Sequence, residues 1–453
     1  MELTKQFAKF IAETQFTDFP AEVIQTAKER ILDTVGAAVA GEQTWASKAQ
    51  FLKACEKLGT GSYAPWGNRE KKYPLARAAM INSTYAHAVE LDDGHKNAGC
   101  HAGAVIVPTA LTMGEALGAT GQEILAAVII GYEVVYRIVE QMTPYQIQKG
   151  FHPSGNCDVF GAMAVAGRLM KLTEQQIANG LGFAGLFASG LMEATVSGQQ
   201  NKCIQVGNAA FNGVTAAYYA AEDLEGTVTV LEGKTGFFNA ESQGVDIVKV
   251  TAGLGKEYRI ADTYSKMYPT CRHSQAAIEA ALDLAAENGF GWQEVKDVCV
   301  GTHQVAYDLT GVIKEPVSAA EAKFSLAYGV ALALHEHGVG TSHLTPLYWE
   351  DEINKHLANK VTVVVDPEVQ AVYPGKRGAR VRIALTDGRS FSKELYDLKG
   401  SPKNPVSWQD LVNKFKANVS SVFNDSEITC LISFIQKMEQ PCDIREFAGI
   451  LHY

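Results

Sequence analysis

Two stretches, Gly161-Ala162-Met163-Ala164-Val165-Ala166-Gly167 and Ala216-Ala217-Tyr218-Tyr219-Ala220-Ala221, set the architecture. Small side chains let helix axes approach closely. Apolar residues fall on more than one helical face in both, so the pattern predicts helices buried all round. Such helices need a large helical domain or a broad subunit interface. Upstream, Leu3, Phe7, Phe10 and Ile11 recur at helical spacing. Pro20 opens a second helix with Val23, Ile24, Ala27, Ile31, Leu32 and Val35 along one side. The first 225 residues thus read as helix after helix.

The pattern changes near residue 260. Val295 to Thr302, Lys360 to Asp366 and Ala379 to Leu385 are β-type runs. Thr386-Asp387-Gly388-Arg389 is a hairpin turn leading into Ser390 to Leu395. Helical runs at about 273–288 and 319–337 accompany the strands. Gly400-Ser401-Pro402-Lys403-Asn404-Pro405 is a breaker cluster, and a final helical stretch follows from Ser407. The expected fold is mainly α: an all-helical domain over 1–262, completed by 403–453, with a smaller α/β lid domain over 263–402.

The chain of 453 residues is 47% hydrophobic and 20% charged, which is ordinary globular usage. Forty Lys and Arg against fifty Asp and Glu give a net charge of -10. That sign disfavours nucleic acid and anionic membranes as partners. It leaves room for a locally basic site that takes an anionic substrate. The eight cysteines show no CxxC spacing and are too sparse for a disulfide scaffold, so a cytoplasmic protein with reduced thiols is expected. The N-terminus lacks a secretory h-region. The longest apolar run, Ile124 to Tyr132, is too short to span a bilayer.

Four segments concentrate polar residues in apolar surroundings. The first runs from His87 through Glu90, Asp92, Asp93 and His95 to His101, with three carboxylates and three imidazoles in fifteen residues. It ends where an apolar helix begins, and the N–H groups of a helix start suit a carboxylate ligand. The second is Gly150-Phe151-His152-Pro153-Ser154-Gly155-Asn156, with His152 just before a buried helix. The third is Gln199-Gln200-Asn201-Lys202-Cys203. Here Lys202 precedes a helix read as Gly207 to Ala221, with no carboxylate within eight residues on either side. A lysine so placed binds a carboxylate as a point charge, although a surface role is its commoner use. The fourth, Lys266 to Gln275, joins the two expected domains. It holds Arg272, which suits bidentate carboxylate binding, yet a solvated linker would look the same. His335, His337 and His343 do not form a metal set, because the first two face apart on one predicted helix. No P-loop, GxGxxG after a strand, or GxSxG elbow is present.

In order along the chain stand FPAEVIQTAKERILDTVGAAVAG (19–41), HAVELDDGHKNAGCHAGAVIVP (87–108), GFHPSGNCDVFGAMAVAGRL (150–169) and NKCIQVGNAAFNGVTAAYYA (201–220). TVLEGKTGFF (229–238), YPTCRHSQAAIEA (268–280), EAKFSLAYGVALAL (321–334) and KNPVSWQDLVNKF (403–415) follow. Together they resemble the MmgE/PrpD family, which includes 2-methylcitrate dehydratase, cis-aconitate decarboxylase and iminodisuccinate epimerase. The resemblance implies a large all-α domain with an α/β lid, a homodimer, and no metal or organic cofactor. By the same resemblance His101, His152, Lys202 and Asp93 are expected to be catalytic. Glu90, His95, Arg272, His273 and Gln275 are expected to bind substrate. Gly94 stands where the family often has Thr, and Gln275 where it often has His. The acidic motif ELDDGH also differs from the LDFNDTW type of the methylcitrate branch.

The chemistry implied is proton transfer next to a carboxylate. It needs cations for the aci-carboxylate and a base of suitable pKa. Lys202 and Arg272 supply charge, and His101 and His152 supply acid and base. Asp93 or Glu90 orients a histidine. A lyase acting on a small di- or tricarboxylate is the leading expectation, with dehydration slightly ahead of decarboxylation. An isomerase epimerising a substituted succinate such as iminodisuccinate is the alternative, and an inactive helical scaffold is the reading outside enzymes.

Overall fold

The computed structural model describes residues 2–95, 97–196 and 201–453. Gln199 and Gln200 of the third polar segment lie outside the described residues. The chain divides into two compact units. The first comprises Met1–Ala88, Asp92–Tyr264 and Ser407–Tyr453; the second comprises Val89–Leu91 and Ser265–Val406.

In the first unit, helices Ala21–Thr44, Leu75–Ala88, Gly103–Leu117, Gly121–Glu140, Asp158–Leu169 and Lys202–Ala221 pack on one another. Every residue from Gly103 to Gly114 and from Ile124 to Val139 is buried, so these helices lie inside their unit. Small residues make this possible: a Cβ added to Gly161 would meet Ile106 Cδ1 at 2.5 Å. Thr120 starts the Gly121–Glu140 helix. Its hydroxyl accepts from Glu123 N–H, and the Glu123 carboxylate accepts from Thr120 N–H at 2.9 Å. Ser407 caps the Trp408–Val419 helix in the same way, and that helix packs on Ala21–Thr44. The final helical stretch comprises three helices. Asn424 and Asp443 cap Asp425–Gln436 and Ile444–Leu451 through their side chains.

The second unit holds a four-stranded sheet in the order Val361–Val365, Val295–Thr302, Ala379–Leu385, Ser390–Leu395. The first pair is parallel, with Val300 opposite Val363, and the other pairs are antiparallel. Gly388, at φ +92°, supplies the left-handed residue of the hairpin turn. Ala379, Val381, Ile383 and Leu385 alternate inward, where they join Ile278, Leu284, Leu332 and Leu357 in the unit's core. The run expected at 319–337 is broken into Ala319–Lys323 and Leu326–His335. The Ser325 hydroxyl accepts from Tyr328 N–H and restarts the helix. His337 lies beyond its end with φ +54°, so His335 and His337 do not share a helix. No helix among the described residues is long and apolar enough to cross a membrane.

Candidate active site

The loop between the Leu75–Ala88 and Gly103–Leu117 helices gathers the acidic and imidazole groups of the first unit. His87 Nδ1 lies 2.7 Å from Asp92 Oδ2, and both residues are buried. A carboxylate accepts, so His87 donates from Nδ1. His101 Nδ1 lies 2.6 Å from the Asp93 carbonyl oxygen and 3.5 Å from Asp92 Oδ2. A carbonyl oxygen can only accept, so Nδ1 of His101 bears hydrogen and the neutral ring presents Nε2 as its lone pair. Ser154 fixes the same turn, its Oγ accepting from His101 N–H at 2.8 Å. The His87 ring centroid is 5.1 Å from that of His101 and 6.1 Å from that of His152. Three imidazoles thus meet around the His87 ring.

Asp93 faces the other way. Its Oδ1 accepts from Gly103 N–H at 3.1 Å, and its Oδ2 accepts a short hydrogen bond from the Tyr132 hydroxyl. The helix start expected to receive a substrate carboxylate is therefore engaged by the chain's own Asp93. Burial pushes the Asp93 carboxyl up to about 6, against the opposing charge of Arg30 and the Tyr132 hydrogen bond. Gly103 is required here: a Cβ would lie 2.5 Å from Tyr132 Oη and 2.7 Å from both Asp93 oxygens. Gly94 is explained similarly, because a Cβ there would collide with the Tyr264 phenol.

His95 belongs to a separate arrangement. Its Nδ1 accepts from Ala98 N–H at 3.2 Å, its Nε2 lies 3.4 Å from Glu140 Oε1, and its ring packs on Tyr136. Lys202 is the first residue of the Lys202–Ala221 helix, which starts five residues earlier than its small-residue pattern indicated.

In the second unit, Lys266 is completely buried and pairs with Glu90, Nζ lying 3.2 Å from Oε2 and 3.1 Å from the Glu90 carbonyl oxygen. Glu90 has φ +55°, a left-handed conformation uncommon for a residue with a side chain. Gln275 Nε2 donates to the Tyr268 and Thr270 carbonyls at 2.8 and 3.2 Å, while its Oε1 accepts from Arg272 Nη1 at 2.8 Å. The Lys266–Gln275 segment is thus a built turn rather than a solvated linker. His273 Nδ1 lies 3.4 Å from His303 Nε2, and His303 stacks on Tyr373. Burial, with Arg377 adding, lowers His303 to about 4. Burial, Arg377, His303 and Arg272 hold His273 well below the usual histidine range.

Of the expected catalytic residues, His101, His152 and Asp93 come together in the first unit. His87, Asp92 and Lys266 were not singled out from the sequence, although all three lie in the quoted segments. Their signal was only proximity to other polar residues. His87, Asp92 and His101 bring ligand-type atoms within 4.8 Å of one another. Nδ1 of His87 and of His101 each donates to an oxygen, so hydrogen bonds through Asp92 and the Asp93 carbonyl hold the set together.

The whole chain has relatives of matching length. Cis-aconitate decarboxylase of Aspergillus terreus is 26% identical over 99% of this chain and 96% of that protein. The human cis-aconitate decarboxylase is 26% identical over 96% of this chain and 92% of its own length. A cis-aconitate decarboxylase-like protein, oryM, of Aspergillus oryzae is 24% identical over 99% of this chain and 97% of that protein. The MmgE/PrpD N-terminal domain matches residues 5–249 and the MmgE/PrpD C-terminal domain residues 268–440. With both domains matched in order, the chain belongs to the MmgE/PrpD family.

Proposed function

We propose that this chain is a lyase that decarboxylates a small unsaturated tricarboxylate, with cis-aconitate the first substrate to test. The observation that carries the reading is the end-to-end similarity to cis-aconitate decarboxylases from fungi and from Homo sapiens. It moves decarboxylation ahead of the dehydration favoured by the sequence motifs alone. The imidazole cluster supplies matching chemistry. In cis-aconitate the carboxylate on the saturated arm leaves as CO2, its bonding pair becomes a new C=C bond, and the old double bond's electrons take up a proton at the far carbon. One proton is consumed, and the product is methylenesuccinate.

That step needs a proton donor at the far carbon and cations for the retained carboxylates. We assign His101 and His152 to the proton transfers and Lys202 to carboxylate binding. In this reading Asp92 orients the His87 ring and Asp93, through its carbonyl oxygen, orients His101. We assign Arg272 to carboxylate binding as well. A homodimer and the absence of a cofactor are part of the same proposal; sedimentation at twice the 48.9 kDa chain mass tests the first.

The test is proton NMR in D2O with cis-aconitate, citrate, 2-methylcitrate, malate and substituted succinates, with CO2 measured in the headspace. New vinyl signals of methylenesuccinate with equimolar CO2 support the reading. Deuterium entering the α-position without net conversion moves the assignment to an epimerase, and silence across the panel removes the lyase. His152→Ala and Lys202→Ala are expected to abolish turnover with the fold retained. Full activity in either removes that residue from the mechanism.

A further inference from the structure

His303 follows directly on the Val295–Thr302 strand and is buried. Its Nδ1 lies 3.3 Å from Ala306 N. Its ring stacks on Tyr373, with centroids 4.0 Å apart and planes within 17°. The end of a strand, the Ala306 turn and the Tyr373 ring thus fix where His303 stands. Its Nε2 lies 3.4 Å from Nδ1 of His273, a half-buried residue on the first turn of the Arg272–Asn288 helix. The two rings meet edge to face, at 70°.

These contacts place the hydrogens. A backbone N–H can only donate, so Nδ1 of His303 carries a lone pair toward Ala306 and the neutral ring has its hydrogen on Nε2. His303 then donates from Nε2 and Nδ1 of His273 accepts. The single hydrogen of neutral His273 is left on Nε2, which makes no hydrogen bond among the described residues. The reverse direction would need hydrogen on His303 Nδ1, facing Ala306 N–H. A second proton on either ring would likewise set two N–H groups against each other. Arg272 and Arg377 act on His273, and Arg377 on His303, so the neighbouring charges also oppose a positive ring. Tyr373 meets His303 through its ring face.

We propose that His303 is a positioning residue that fixes His273 in the tautomer with hydrogen on Nε2, so that His273 holds a substrate carboxylate as a neutral donor and takes no part in proton transfer. The binding role rests on the proposed function; the tautomer is a property of the chain alone. A neutral N–H pairs with a carboxylate oxygen through a charge-assisted hydrogen bond. An isolated neutral imidazole exchanges its two tautomers, and in one of them Nε2 presents a lone pair that repels a carboxylate. His303 removes that state. The donor also stays the same as pH falls through the range in which an ordinary histidine takes up a proton.

The experiment is two-bond 1H–15N NMR of the full chain labelled with 15N-histidine, which separates a protonated ring nitrogen from a bare one. The two residues are assigned by the loss of their signals in His273→Phe and His303→Phe. In the unaltered protein His273 is expected to keep hydrogen on Nε2 and a bare Nδ1 from about pH 8 to about pH 5. His303→Phe keeps a ring on Tyr373 and removes the donor; the other tautomer of His273 then appears, and the ring takes a second proton within that range. His303→Gln, whose amide still donates, keeps the original pattern. With cis-aconitate, His273→Phe raises KM by about tenfold or more, the cost of a hydrogen bond to a charged group. His303→Phe raises it by less, and the pH profile of kcat keeps its shape in both. Hydrogen on Nδ1 of His273 in the unaltered protein overturns the proposal whether or not the variants fold. An unchanged tautomer in folded His303→Phe overturns it even if turnover falls. An unchanged KM in His273→Phe overturns the binding role. The expected tautomer in a protein that turns over none of the panel leaves the positioning by His303 standing and removes the proposed activity instead.

Discussion

Each unit holds a histidine cluster, and the two are built with opposite neighbours. In the first unit His87 and His101 donate from Nδ1 to oxygens of Asp92 and Asp93. In the second unit His303 accepts at Nδ1 from Ala306 N–H at 3.3 Å, which leaves its hydrogen on Nε2, facing His273. Burial and the guanidinium of Arg377 then keep His303 neutral, at about 4. Residue type is the same in both places. An oxygen acceptor on the inner nitrogen orients a ring for proton transfer, whereas a backbone donor and nearby arginines make a ring a fixed neutral dipole. In the proposed function the proton chemistry therefore falls to the first cluster.

The largest expected effect tests that contrast directly. His101→Ala lowers kcat/KM for the proposed substrate by about 10²–10⁴-fold, while His303→Ala lowers it by much less. Equal losses in the two variants, measured by NMR turnover, would abolish the distinction. Next, Gly103→Ala places a methyl against Tyr132 and Asp93, and overpacking of this kind destabilises by about 1–3 kcal/mol. A lowered Tm together with reduced turnover is expected; an unchanged Tm means the turn has room that the geometry does not show. In the second unit, Gln275→Ala removes the donor from two carbonyls and destabilises by about 1 kcal/mol per lost hydrogen bond. The urea midpoint should fall while turnover per folded molecule is largely kept; a collapse of turnover at unchanged stability would support the substrate-binding role expected of Gln275.

The smallest effect is the pH dependence of stability, where the clusters oppose each other. Asp93 is raised to about 6 in the fold, so its contribution is full below its ordinary 3.8 and is lost as pH rises through 6. His303 is lowered to about 4, so its contribution is full above 6.5 and is lost as pH falls toward 4. Between about pH 4 and 6 the two partly cancel. Asp93→Asn should steepen the rise of Tm with pH across that window, and His303→Gln should flatten it. The same slope in both variants would contradict the assignment.

Much of the fold was legible from local pattern. The strands Val295–Thr302 and Ala379–Leu385 coincide with their β-type runs, because alternation and a Gly388 turn are properties of neighbouring residues. Helix ends were less legible. The break at Ser325 and the start at Lys202 depend on side-chain capping or on tertiary packing that a hydrophobic period does not register. At the site, the polar clustering marked the loop but not its wiring. Asp92 and Asp93 are adjacent and chemically identical, yet one binds His87 and the other a helix start and Tyr132.

Residue chemistry along the chain was enough to establish a helical architecture with a smaller sheet-bearing unit, an acidic composition of ordinary globular usage, and the segments rich in imidazole and carboxylate. Those properties depend on spacing, and spacing is written in one dimension. Which acid orients which ring, and why Gly94 and Gly103 have no side chain, depended on contacts among residues as far apart in the chain as Gly94 and Tyr264. Such contacts exist only after the helices have packed. Burial then strengthens each electrostatic interaction and gives otherwise equivalent side chains different roles.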